Sequence, residues 1–454
     1  MELVNQKIRL SYRNFYHCGI SLNKVLPKRV SGNFVILLSA LSYDRDVYLW
    51  FKKHCMEHFC SCSRQIQMLE EDEFIEPHTT YLAWKIIIAR SEIVGIEDKG
   101  FDSIARSLFD FLLKVNDFLD DEDAKVKRNN RWQYIEHLYL DYYTDNVIAQ
   151  FYRAQRIFID SSNLKSFIAN FESEISLCLK EYVYVIHRLL VRYGNLWEFY
   201  PGGIKNTDLL AYWKSNSGNI ADGTNFNSET IEKVLSVISC KPDELKTFCN
   251  EHLFDGNIDF FRNYPFVQLS KDLYVPINDR LSQNLLFNNL FYKILDANKS
   301  SSGDFLSNYG KEFERYVYEL ALLINQSGND KCIVQKEFTF KTTRKEGLNK
   351  SPDVMIVYPQ TKQVIVFEVK SARILEKFNK SYSDKDSYEK SIEKTVFTPI
   401  VQSAKSITKI VENNATKLFD KSFRFVNVAV TMSAFAIPNY SVNVAEGTKE
   451  RRHK

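Results

Sequence analysis

From about residue 40 to residue 195, apolar side chains recur every three to four positions, with almost no glycine or proline to interrupt them. That spacing lines up one face of a helix, and a strand cannot satisfy it because its side chains alternate with a period of two. The chain is therefore expected to begin as a helical array. Phe101, Ile104, Leu108, Phe111, Leu112, Val115 and Phe118 form one stripe, with Asp102, Arg106, Asp110 and Lys114 elsewhere on the wheel. A longer stripe runs from Leu164 through Phe167, Phe171, Ile175, Cys178, Tyr182 and Val185 to Leu189, and Pro201-Gly202-Gly203 then makes the clearest break in the chain. Glycine supports the same reading, since 15 in 454 residues is about half the usual ~7%. No fixed-period repeat is visible.

A chain of 454 residues allows two or three domains. Its 44% hydrophobic and 26% charged residues exclude collagen-like, low-complexity and wholly disordered classes. The longest apolar runs, Phe34 to Leu41 and Trp84 to Ala89, are core-sized and far short of the ~18 residues of a membrane span. The opening MELVNQKIRLSYRNFYHC lacks the apolar block of a secretion signal. Eight irregularly placed cysteines read as reduced thiols. A cytoplasmic protein with no membrane attachment is the expectation.

Within the helical region, His54, Cys55, His58, Cys60 and Cys62 lie close together, and His54 with His58 is an i, i+4 pair that could face one metal. The competing reading is a helix from Tyr48 to Phe59 whose thiols are small core residues and whose histidines are exposed; no second ligand pair is visible. Asp117 to Arg131, acidic then basic, reads as a solvated loop between helices or, alternatively, a partner surface. Residues 201–300 read as a mixed connector. Pro265 to Pro276 forms a hairpin about Ser270-Lys271-Asp272, and a helical stripe spans Leu281 to Leu295.

Beyond Gly303 the pattern becomes helix, three strands, helix, strand. Phe305, Leu306, Tyr309, Phe313, Tyr316, Val317, Leu320 and Ile324 make a helical face. Strands are expected at Cys332–Lys341, Pro352–Tyr358 and Gln363–Lys370, a helix at Thr398–Glu412, and at Phe423–Met432 a strand buried on both faces. Period two puts Glu368 and Lys370 on one face of their strand, away from Ile365, Phe367 and Val369. Asp353 opens the neighbouring strand, where it could reach the same edge. Two acids and one base converging there suit metal-assisted phosphodiester hydrolysis. Asp353 and Glu368 would clamp Mg²⁺ or Mn²⁺, with the Val369 carbonyl as a further ligand. Lys370 would orient or deprotonate the attacking water, or neutralise charge building on the phosphate.

Pro352-Asp353, fourteen residues, then Glu368-Val369-Lys370 resembles the signature of the PD-(D/E)XK nuclease superfamily. The resemblance covers about 140 C-terminal residues and implies a restriction-endonuclease-like α/β domain at 301–445, a central mixed sheet with an α-β-β-β-α-β core. Gly310-Lys-Glu-Phe-Glu314 is similar to that family's first-helix motif, which implies Glu314 as a further metal ligand, with Glu312 as a weaker claimant. Gln402 matches a glutamine that many members keep near the site, although Ser406 stands where RecB-like members carry tyrosine.

The net charge of +3 hides a division. Residues 301–454 hold 25 Lys+Arg and 18 Asp+Glu, against 35 and 39 for residues 1–300, so the nuclease-like end is the basic one. Lys377, Lys380, Lys385, Lys390 and Lys394, with Tyr382 and Tyr388, read either as a phosphate-gripping loop or as a solvated segment whose acids nearly cancel them. Residues 446–454 read as a disordered basic tail. The layout, a helical region (1–200) that senses, binds a partner or oligomerises and a C-terminal nuclease, resembles effector nucleases of prokaryotic antiphage defence. The expected partner is nucleic acid, DNA before RNA. The alternatives are a non-catalytic nucleic-acid-binding or scaffold subunit, or an endonuclease of transposition or recombination.

Overall fold

The structure is a computed structural model that describes residues 9–17, 28–95, 100–129, 146–194, 220, 225–253, 257–327, 331–341, 347–371, 390 and 393–432. The chain divides into two compact units, one comprising residues 1–152 and 171–294, the other residues 153–170 and 295–454. Pro201-Gly202-Gly203, most of the 371–394 insertion and the 446–454 tail lie outside the described residues.

The first unit is helical, as the apolar spacing requires. Gly32–Tyr43 is buried at every position except Ser42, so this helix, apolar all round, runs through the core. Ser31 caps it by accepting from the Phe34 N–H. Pro77–Arg90 buries the Trp84–Ala89 run, and the Trp84 indole donates to the Ile277 carbonyl at 3.0 Å. On the Phe101–Asn129 helix, Ile104, Leu108, Phe111, Leu112 and Val115 are buried as the stripe predicts. Asn116 sits among them with its polar groups satisfied. It donates to the carbonyls of Leu10 and Phe74 and accepts from Thr79. The expected hairpin is present, Phe266–Ser270 antiparallel to Leu273–Pro276, with Ser239–Cys240 added in parallel.

Four expectations change here. Asp117 to Asn129 continues the Phe101–Asn129 helix instead of forming a loop between helices, and the Leu281–Leu295 stripe is two helices, Asp279–Asn284 and Asn288–Ala297. The stripe from Leu164 to Leu189 is two helices, Lys165–Ile175 and Leu179–Gly194, because Ser176 takes a left-handed conformation (φ 52°) between them. The His/Cys segment is the helix Arg45–His58 with Cys55 buried, but His54 is not exposed. Its side chain is 10% accessible and lies against Trp50, Phe59 and Phe101, and burial and the neighbouring His58 lower its pKa. Such a ring holds its charge poorly and serves here as a core aromatic. Among the described residues no His/Cys cluster could hold a metal ion.

The second unit carries a four-stranded mixed sheet in the order 424–431, 363–370, 354–358, 333–336. The first pair is parallel and the other two antiparallel. The helix Ser302–Ser327 precedes the sheet, and Thr398–Glu412 supplies the crossover that a parallel pair needs. Met355, Val357, Val364 and Val366 pack with Ile407 and Ile410 of that crossover helix and with Phe340 and Phe419. Val354 to Val357 are all buried, so both faces of their strand are covered. Arg424–Thr431 is only partly buried, with Val426 43% accessible. It is the edge of the described sheet, which corrects the expectation of a strand buried on both faces. Its apolar residues are strand-forming, and the strand order leaves one side without a neighbour.

The segment 153–170 belongs to this unit. Arg156 bonds Glu319 and donates to Asp160, Arg315 reaches the Arg156 carbonyl, and Asn163 donates to Glu312. These bonds tie the segment to the Ser302–Ser327 helix.

Candidate active site

The strand Gln363–Lys370 alternates as predicted. Val364 and Val366 are fully buried, and Glu368 continues their face at 5% accessibility, at the end of an apolar row. Lys370 follows on the same side, and its Nζ lies 2.9 Å from Glu368 Oε1. The neighbouring antiparallel register, Phe367 opposite Val354, puts Asp353 one step further along, opposite Glu368. The Asp353 carboxylate accepts from the Val369 N–H at 2.7 Å, which locks it to the strand end. On the other side Lys336 pairs with Val354, and the Glu337 N–H donates to the Asp353 carbonyl at 2.9 Å. Three adjacent strands therefore end in one row of acids: Glu337, Asp353 and Glu368.

Glu314 joins them from the Ser302–Ser327 helix. One turn earlier, a Cβ on Gly310 would stand 3.2 Å from Ser371 Oγ, so the missing side chain lets the helix pass close to the strand end. Burial raises the Glu314 pKa, Asp353 and Glu337 add to the rise, and Lys370 and Lys350 oppose it. Asp353 is likewise raised, first by burial and then by Glu337, against the Val369 N–H and Lys370. Glu368 is raised by burial and by Asp353, with its bond to Lys370 acting the other way. Three carboxylates whose charged forms are disfavoured by burial and by one another are a field that a cation relieves.

The sequence-predicted residues are thus partly assembled. Asp353 and Lys370 each act electrostatically on both Glu314 and Glu368, and the Val369 N–H binds Asp353. Glu312, the weaker claimant on the helix, is consumed elsewhere: it is 1% accessible and holds Asn163 and Arg315. Gln402 is exposed on the crossover helix, and no hydrogen bond or ion pair among the described residues joins it to the carboxylates. The next residue, Ser403, is buried and donates to the Ile400 carbonyl and Asn427. Lys390 and Lys394 are exposed; the insertion's other lysines lie outside the described residues.

Two charged residues escaped the sequence reading. Glu337 ends the first strand, and Lys350 lies just before Pro352-Asp353, its Nζ 3.0 and 3.2 Å from the two Glu337 oxygens. The expected strand Cys332–Lys341 is broken into Ile333–Lys336 and Thr339–Phe340, the latter pairing with Asn349–Lys350. Glu337 sits at that break, and the only sequence signal for it was an acid interrupting an alternating run.

The donor chemistry, hard carboxylate oxygens, suits Mg²⁺ or Mn²⁺; at Val369 it is the N–H that meets this group, as a donor to Asp353. Among the described residues, however, no three His, Cys, Asp or Glu side chains are arranged to hold an ion. No described helix is long and apolar enough to cross a membrane. Comparison with family models, curated proteins and solved structures finds no match for this chain.

Proposed function

We propose that the C-terminal unit is a metal-dependent nuclease of the PD-(D/E)XK kind, with DNA as the preferred substrate, and that the helical unit governs it as in defence effectors. The observation that carries this reading is the convergence of Glu314, Asp353 and Glu368 with Lys370 at the end of one sheet, each carboxylate raised by burial and its neighbours. Asp353 and Glu368 would hold Mg²⁺ or Mn²⁺, with Glu314 behind them. Such an ion, when bound, polarises the scissile phosphate and acidifies water. Lys370 would then orient the water or take its proton, from a position where it donates to Glu368. The test is cleavage of linear, branched and single-stranded DNA with and without Mg²⁺. Wild type is expected to cut only with metal, and Asp353→Asn and Lys370→Met to lose at least a hundredfold with folding intact. Equal cleavage by those variants refutes the reading.

A second reading has its own support. Lys370 is bound to Glu368 in an ion pair. A lysine neutralised in this way suits a nucleic-acid-binding or scaffold subunit that does not cut. Metal-independent binding without cleavage on any of the three substrates would favour it. Cutting confined to branched substrates would instead favour a transposition or recombination enzyme.

A further inference from the structure

We propose that Lys350 is a substrate-contact residue, held on Glu337 at the mouth of the site until a phosphodiester backbone takes Glu337's place. This rests on the nuclease reading above and adds to it a residue outside the Pro-Asp and Glu-x-Lys positions. The Lys350 side chain is 68% accessible and that of Glu337 33%. An ion pair so exposed adds little to stability, so exchanging one partner for a phosphate oxygen costs little. The strands it spans do not need it. Ser351 N–H donates to the Phe338 carbonyl at 2.9 Å, and Phe338 N–H donates to Ser351 Oγ at 2.8 Å, which closes this ladder without side-chain charge.

Position is the second argument. The positive charge of Lys350 reaches both Glu314 and Asp353, so its ammonium lies within the field of the groups that would face the scissile phosphate. A second ammonium is adjacent in the chain's fold, for Lys409 Nζ donates to Asn349 Oδ1 at 3.0 Å. A backbone of regularly spaced negative charges is what exposed lysines bind, each displacing counterions. Glu337 then acts as a negative stand-in for that phosphate: it keeps Lys350 at the rim and is displaced by substrate.

The test is equilibrium binding of a short fluorescein-labelled DNA duplex, and of its single strand, to the full chain in EDTA, so that nothing is cut. KCl is varied from about 50 to 200 mM. Lys350→Met is expected to weaken binding several-fold at low salt and to reduce the slope of log K against log salt by about one. Lys350→Arg should keep both, and Glu337→Gln should tighten binding. With Mg²⁺, Lys350→Met should raise KM while kcat changes little. The inference is overturned if Lys350→Met keeps the wild-type slope, or if Glu337→Gln weakens binding as much as Lys350→Met does, which would mark the pair as structural. If wild type binds and cuts DNA in either of those cases, only this inference falls. Failure of the wild type to bind either DNA overturns this inference, and cleavage with Mg²⁺ then decides the nuclease reading separately.

Discussion

Replacing Lys370 by methionine separates a working site from a structural ion pair. The bond between Lys370 Nζ and Glu368 Oε1 is 2.9 Å. At an effective dielectric constant of ~20 the gross Coulomb attraction at that distance is about 6 kcal/mol. Most of this is cancelled by desolvation. With the Lys370 side chain 30% and the Glu368 side chain 7% accessible, the net cost of losing the ammonium falls between the ~1 kcal/mol of an exposed pair and the ~3–5 kcal/mol of a buried one, at about 2 kcal/mol. For a unit of 150–250 residues this lowers Tm by roughly 4–8 °C. The loss depends on pH. Glu368, already raised by burial and by Asp353, is raised further once Lys370 is gone, so at acid pH it is protonated and the cost disappears. Glu368→Gln is expected to be nearly neutral and to rescue Lys370→Met in a double-mutant cycle followed by thermal melts. Adding Mg²⁺ should restore the stability of Lys370→Met, because a dication replaces the ammonium beside Glu368, but should not restore cleavage. A loss that is the same at pH 5 and pH 8 and indifferent to Mg²⁺, in a protein that still cuts, would refute the reasoning.

The remaining carboxylates carry the same logic. Burial and neighbouring carboxylates raise Glu314 and Asp353 from their ordinary values. Their contribution to stability is fully present below ~4 and is lost as pH rises through the raised folded values. In EDTA, Glu314→Gln/Asp353→Asn should therefore match wild type near pH 3.5 and melt progressively higher than wild type toward pH 8; parallel curves would show the field is not there. Saturating Mg²⁺, at ~100 times its dissociation constant, should stabilise wild type by about 2.7 kcal/mol and leave Asp353→Asn unmoved, as read by calorimetry. In the helical unit, burial pushes Asp279 up to about 6, with Asp44 adding to the rise, where it lines a cavity of about 160 Å³ with Asp44, Arg45 and Arg280. Against an unfolded value of ~3.9 the cost of its charge at neutral pH is at most about 3 kcal/mol. Asp279→Asn should raise Tm at pH 7.5 and have no effect at pH 4, and equal shifts at both would exclude the titration.

Much of the second unit could be read directly from residue patterns. Gln363–Lys370 and Thr398–Glu412 are where the periodicity puts them, because Val364 and Val366 in the strand, and Ile407 and Ile410 in the helix, each report the burial of their own element's face. Glu368 and Lys370 were legible for the same reason, as the polar end of an apolar row. Glu337 was not, since an acid that interrupts an alternating run looks the same whether it faces solvent or a neighbouring strand's aspartate. Glu312 and Glu314 are two positions apart on one helix, and only the Asn163 and Arg315 bonds to Glu312 show which acid is structural.

By itself, then, the sequence determined the elements and the face each one buries: a helical array with few breaks, and a basic C-terminal run of helix, strands, helix and strand. Tertiary structure decided what those faces meet. Residues 153–170 join the C-terminal unit through the Arg156–Glu319 and Asn163–Glu312 bonds. Among the described residues strand order makes 424–431 an edge, and the registers between 333–336, 354–358 and 363–370 bring Glu337, Asp353 and Glu368 into one row. Periodicity is a local quantity, set by the turn of a helix or the pleat of a strand. Register and strand order are settled by packing across the whole core, where residues far apart in the chain contribute together.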